Sequence, residues 1–234
     1  MIEQQVQFGT RTIPFTIHYA DRKSLGLQVH PDCTVHAIAP QNTPDADVIK
    51  RVMQKAGWIL KQQDHFASFL PLTPPRKFLS GETHRYLGRQ YRLKKVLSDV
   101  TQVKIYRGYI EVHSKNEAAE EIEAVLNGWY KAKAKEIFTG LLAEIVEKIP
   151  RLRNNKVSLH TKAMPTRWGS CSPSGRITLN TELVKAPKAC IEYVIIHELC
   201  HLIHPNHNKK FFRLLSTLMP DWEKWKERLE RSMV

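Results

Sequence analysis

Residues 190–212 read CIEYVIIHELCHLIHPNHNKKFF, and this stretch decides how the second half of the chain must fold. Within it lies H-E-x-x-H, with His197 and His201 four residues apart. On a helix that spacing is one turn, so both imidazoles leave the same face about 6 Å apart, within reach of one tetrahedral ion. Glu198 is rotated about 100° from His197 on that helix. It borders the ion without being forced to ligate it, which is where a base acting on metal-activated water must stand. Ile191, Val194, Ile195, Leu199, Leu202 and Ile203 cover nearly all of the remaining circumference, so the helix is expected to be buried. A carboxylate and two imidazoles stranded in such a core need compensation, and a divalent cation supplies it.

A site with one open position needs a third protein ligand. His204 shares the helical stripe but lies about 10 Å of axial rise beyond His197, which suits an outer or substrate-facing group better than a ligand. Pro205 is expected to end the helix, and a turn through Asn206 then brings His207 back toward the other two imidazoles. His197, His201 and His207 around one Zn2+ per chain are the preferred set. A carboxylate from a following helix, Glu223 or Glu227, competes with His207 for the third place.

Composition bounds the remainder. A 42% hydrophobic and 25% charged chain of 234 residues excludes a disordered polymer and supports a real core. No apolar run approaches the length of a membrane span, so no membrane partner is expected. The first ten residues, MIEQQVQFGT, lack a basic start and an apolar core, which points to the cytoplasm. Cys33, Cys171, Cys190 and Cys200 form no C-x-x-C pair and read as reduced, small buried residues. The formal charge of +13 is unevenly spread: ten basic residues meet three acids between Arg76 and Lys115. Such a surface attracts polyanions, so nucleic acid is a candidate partner of the basic amino-terminal half.

In chain order, residues 4–39 alternate as short strands and read as an antiparallel meander with His18, His30 and His36 on its solvent face. One helix of about 20 residues follows at about 43–66, with Thr43 as N-cap and Pro44 in its first turn, and runs to a proline-rich elbow, LPLTPP. Residues 77–113 return to strands in a twisted hairpin or meander, where Tyr86, Tyr91, Tyr106 and Tyr109 interleave with basic residues. Glu117–Ile149 is the longest helical stretch, expected to pack on the metal-bearing helix despite Gly128 and Gly140. Lys156–Thr161 and Arg176–Asn180 then read as a hairpin that could add an extended peptide at the Arg176–Asn180 strand. Two short amphipathic helices, starting near Lys209 and at Asp221, finish the chain.

RWGSC at Arg167–Cys171, ITLN at Ile177–Asn180 and the run from Tyr193 to Phe212 together resemble the YgjP-like family of metal-dependent hydrolases, distant relatives of SprT-like metallopeptidases. The motifs cover about the last 75 residues tightly, and WILK at Trp58–Lys61 in the β-rich front also fits. The resemblance implies a zincin-type site with ligands His197, His201 and His207 and the catalytic base Glu198. Asn208 departs from it, since a serine often follows the third histidine.

These readings give an α+β chain. Residues 1–115 form a β-rich basic region with one helix, and residues 116–234 form a zincin-like domain with a β-hairpin before the metal-binding helix. The expected activity is zinc-dependent amide hydrolysis of a peptide or protein substrate, with Glu198 as general base and Arg167, Tyr193 or His204 contacting the substrate or transition state. Two other classes stay open: a nucleic-acid-associated binding protein with a structural metal closed by His204 or Cys171, and a small-molecule amidase.

Overall fold

The computed structural model describes residues 2–30, 32–67, 76–152, 156–165 and 167–232. The chain divides into two compact units, 1–74 and 75–233, each with its own apolar core. The division therefore falls well before residue 115. The reason is local: the second set of strands buries its apolar face against the long helix that follows it. The proline-rich elbow expected at 70–75 lies outside the described residues.

In the first unit, strands β1 (Ile2–Phe8), β2 (Arg11–Ala20), β3 (Gly26–Val29) and β4 (Val35–Pro40) form a sheet of order β1-β2-β4-β3. It is not a simple meander. β2 pairs with β4 in parallel, Ile17 opposite Ala37, while β1 and β3 flank this pair antiparallel. Ile13, Phe15 and Ile17 alternate with polar neighbours and share a core with Val35, Ala37 and Ala39, so period-two patterning fixes the buried face but not the neighbour. The expected single helix is two: α1 (Asp45–Gln54), which starts after Pro44, and α2 (Ala56–Ala67). Lys55 caps α1 at ψ 6°, outside the helical range, and marks the break. His18, His30 and His36 cluster on the face turned away from the core, with His18 Nε2 2.7 Å from His36 Nδ1.

The second unit repeats this pattern. Strands β5 (Thr83–Tyr86), β6 (Arg89–Leu97), β7 (Gln102–Tyr106) and β8 (Tyr109–Ser114) are ordered β5-β6-β8-β7, again with a parallel central pair. The 30-residue helix α3 (Ala119–Lys148) lies on their apolar face. Its buried seam is Ile122, Leu126, Tyr130, Ala134, Phe138, Leu141, Leu142 and Ile145, spaced by helical turns. Tyr130, Ala134 and Phe138 belong to that seam, whereas Val125, Trp129, Ile137 and Val146 only flank it. Gly128 and Gly140 are tolerated because they face open space.

Three short strands follow: β9 (Ser158–Lys162), β10 (Gly169–Cys171) and β11 (Arg176–Asn180). β11 is central, antiparallel to β10 and parallel to β9. The segments 156–161 and 176–180 do pair, but in parallel, so the hairpin before the metal-bearing helix is β10–β11 rather than these two. A 3-10 turn at Thr181–Lys185 leads into α4 (Lys188–Ile203), which α5 (Lys209–Leu218) and α6 (Trp222–Ser232) enclose together with α3, β10 and β11. Gly88, at φ +77° in the β5–β6 turn, sits so close to Pro187 that a Cβ there would stand 2.9 Å from Pro187 Cα. With Leu87 and Gly88 amides donating to Val184 and Lys185 carbonyls at 3.0 Å, that turn pins the start of α4. Among the described residues no helix is both long and apolar enough to cross a membrane.

His84 on β5 is 1% exposed, and among the described residues its Nε2 has no hydrogen-bond partner. Burial, reinforced by the Arg76 charge, pushes it down to about 4; Glu82 pulls it up, and Lys185 adds a smaller push down. The unfolded chain takes up this proton near pH 6.5 and the folded chain only near 4, so stability should fall as pH drops across that window, by up to about 3 kcal/mol. Urea titrations followed by tryptophan fluorescence, which reports mainly this unit because four of the five tryptophans lie in it, should show the loss in wild type and a flatter profile in His84→Phe. Parallel profiles for the two proteins would rule His84 out as the cause.

Candidate metal centre

Helix α4 is buried on nearly every side: Cys190, Ile191, Val194, Ile195, Ile196, Leu199 and Cys200 are all core residues. Its polar positions, His197, Glu198 and His201, open onto one cleft of about 570 Å³. The helix ends at Ile203, where His204 adopts an extended conformation (φ −133°, ψ 97°) because it precedes Pro205. The chain then turns back, and Asn208 caps α5 by accepting hydrogen bonds from the amides of Lys210 and Phe211 at 3.0 and 3.1 Å. Asparagine and serine are comparable N-caps, so the departure at position 208 leaves the local chemistry intact. This turn delivers His207 to the other two histidines.

One ring nitrogen from each of His197, His201 and His207 lies within 4.8 Å of the others. His197 Nε2 and His207 Nε2 are 3.0 Å apart. His201 Nδ1 is 3.1 Å from the Pro205 carbonyl, which holds that proton and leaves Nε2 for the cluster. His197 Nδ1 is buried without a hydrogen-bond partner among the described residues, which leaves Nε2 to serve the cluster. Three imidazoles with unshared nitrogens converging on one point are a donor set suited to a divalent transition metal. Burial, and then the charges of His201, His207 and Lys226, push His197 down to about 4, and burial with His201 lowers His207; neutral rings are the form that ligates. Neither Glu223 nor Glu227 joins the cluster among the described residues, and Glu227 pairs instead with Arg231 at 2.5 Å.

Glu198 is 7% exposed and borders the same cleft. Burial pushes its carboxyl up to about 7, opposed by the charge of Arg167. A neighbouring cation would draw it down again.

Phe211, at 0% exposure, floors the triad: its ring centroid lies 5.0, 4.7 and 4.6 Å from those of His197, His201 and His207. The opposite wall is β10. At Gly169 an added Cβ would stand 2.7 Å from Glu198 Oε1 and 3.0 Å from Val194 Cγ1, so only glycine lets the strand lie this close to the acid. Asn180 holds the approach to that strand, donating from Nδ2 to the carbonyls of Met164 and Arg167 at 2.7 and 3.1 Å while its Oδ1 caps the following 3-10 turn. Phe211, Gly169 and Asn180 were not singled out from sequence. RWGSC and ITLN were visible as motifs, yet the roles of their Gly and Asn depend on the non-local pairing of β10 with β11.

Of the three residues expected to contact the substrate, the structure places only Arg167 in the cleft lining. Tyr193 is buried behind His197, its ring centroid 5.9 Å away and stacked on Trp222. Cys171 lines the cleft, and burial with the Glu198 charge pushes its thiol up to about 11.

Three known proteins are similar to parts of this chain. A UTP pyrophosphatase of Escherichia coli (strain K12) is 29% identical over 68 residues, which are 29% of this chain and 41% of that protein. This chain thus spans less than half the length of that relative. Two metallopeptidase zymogens, Pyrococcus abyssi abylysin and Methanocaldococcus jannaschii jannalysin, each share 21% identity, with TM-scores of 0.38 and 0.35. Those matches cover 41% and 43% of this chain and 94% and 97% of theirs. A family model described as the YgjP-like metallopeptidase domain matches residues 23–232, nearly the whole chain. The chain belongs to the YgjP-like metallopeptidase-domain family.

Proposed function

We propose that the chain is a zinc-dependent hydrolase that cleaves amide bonds in peptide or protein substrates. The observation that carries this reading is the triad of His197, His201 and His207 beside a buried carboxylate on the wall of an open cleft. These residues would hold one Zn2+, which when bound supplies Lewis acidity for polarising a carbonyl and activating water. Glu198 accepts the proton released as water attacks and returns it to the leaving amine. Arg167 stands where it can orient substrate or offset negative charge developing in the cleft. A structural metal closed by Cys171 or His204 has less support, since neither joins the histidine group among the described residues.

The cleft favours an extended substrate over a small enclosed one. β11 is paired on both sides, so it cannot accept another strand as its sequence position suggested. β10 can: it is the edge of its sheet and lies against α4. Trp168 and Ser172 bond to β11, so strand alternation turns the amide and carbonyl groups of Gly169 and Cys171 toward the free edge. An extended peptide paired there would run past Glu198 and the triad.

A second reading rests on the relative named as a UTP pyrophosphatase, together with Arg167 in the cleft: hydrolysis of a phosphoanhydride in a nucleoside triphosphate. The two are separated by assaying zinc-loaded protein on a peptide library by mass spectrometry and, in parallel, on UTP for pyrophosphate release. Glu198→Gln should retain zinc and lose about 10²- to 10⁴-fold in turnover of the true substrate. Full turnover in that variant would remove Glu198 as the base, and cleavage of UTP alone would overturn the amide reading.

Gly169→Ala probes the wall. Its methyl would stand 2.7 and 2.9 Å from Glu198 Oε1 and Cγ and 3.0 Å from Val194 Cγ1, so the acid and the strand must shift: turnover should fall by about 10²-fold with zinc content retained and the melting temperature lowered. Wild-type turnover in this variant would show that the close approach of β10 does not set the position of the acid.

A further inference from the structure

The β5–β8 sheet has two faces of different chemistry. Leu93, Ile110 and Val112 turn inward onto α3, and Tyr86 and Tyr91 pack at the edge of that core. The other face is polar and cationic. Strand register sets its side chains in rows: Arg92 on β6 is level with Tyr109 on β8, which is level with Tyr106 on β7. Two residues along, about 7 Å, Lys94, Glu111 and Lys104 form the next row. Tyr106 and Tyr109 are 53% and 39% exposed, large rings held at the surface with no core to fill. The Arg107 guanidinium lies over the Tyr106 ring, 5.0 Å from its centroid. Glu111 is the sole acid on these strands, and Lys94 Nζ bonds it at 2.8 Å, leaving the face with a net positive charge.

The four strand tyrosines therefore separate into two pairs, and only one pair is offered to a partner. An acidic protein could use the cations but has no need of two exposed rings. A duplex keeps its bases stacked on one another. An unpaired strand needs both features, flat apolar rings for its bases and cations at nucleotide spacing for its phosphates. We infer that this sheet face binds single-stranded nucleic acid, with Tyr106 and Tyr109 stacking on bases and Arg92, Lys94, Lys104 and Arg107 meeting the phosphates. It is independent of the hydrolase reading, and Glu198→Gln should bind the strand as wild type does.

Fluorescence anisotropy of the full chain with labelled 15-nucleotide oligo-U and oligo-dT, against a blunt duplex of equal length, tests this directly. Single strands should bind at least about tenfold more tightly than the duplex. Tyr106→Ala with Tyr109→Ala should weaken binding by about tenfold or more, whereas Tyr106→Phe with Tyr109→Phe keeps the rings and should keep the affinity. Lys104→Ala should reduce the slope of log affinity against log salt by about 0.7. Lys131→Ala with Lys135→Ala, which removes two exposed charges from α3, is the matched control and should cost less than the loss of Lys104 with Arg92. The single alanine variants are read separately if the double variant loses its thermal transition. Undiminished binding without the tyrosines, equal affinity for the duplex, or an equal loss in the α3 control would overturn the inference in favour of indiscriminate attraction between a basic protein and a polyanion.

Discussion

The constraint on which the second unit depends is the burial of a carboxylate and imidazoles on a helix that is otherwise apolar all round. Glu198 at 7% exposure cannot simply be surrounded by hydrocarbon, because desolvation would drive it neutral or the helix out of the core. The fold meets this by packing α3, α5, α6, β10 and β11 around α4 and opening the turn that carries His197, Glu198 and His201 onto one cleft. The surrounding parts follow from that requirement. Phe211 fills the space beneath the three rings, Asn208 sets the direction of α5 so that Phe211 and His207 arrive together, and Gly169 lets a strand close over Glu198 without a side chain between them.

Where the relevant signal is local, the chain could be read directly. The four-residue spacing in H-E-x-x-H, the proline after His204 and the short return to His207 are properties of a helix end, and they suffice to bring three imidazoles together. The apolar period of residues 117–149 likewise gives α3 and its packing on α4. Strand neighbours were not legible. Alternation along β2 or β6 reports which face is buried, but β4 and β8 enter in parallel beside them through crossover connections, and no turn residue encodes that choice. The same limit hid Asn180, whose two carbonyl partners lie 13 and 16 residues away, and made β11 look like the exposed edge when it is the centre of its sheet.

Tyrosines and histidines show the limit in another form. Tyr86, Tyr91, Tyr106 and Tyr109 are alike in sequence context, each within two residues of an arginine, and only register divides them between core and solvent. His18, His30 and His36 also cluster, and His18 Nε2 meets His36 Nδ1 at 2.7 Å, yet among the described residues only the carboxy-terminal triad brings three donor atoms together. Proximity of ring centroids is a weaker condition than convergence of donor atoms. It is convergence that singles out His197, His201 and His207.

The central claim is that three imidazoles and no other side chain hold one metal, leaving a position for substrate chemistry beside Glu198. Zinc K-edge X-ray absorption on the purified full chain measures this most directly. The account expects one zinc per chain, three imidazole nitrogens at about 2.0–2.1 Å and a single further light atom. A sulfur scatterer at about 2.3 Å, or a fourth imidazole closing the shell, would contradict it.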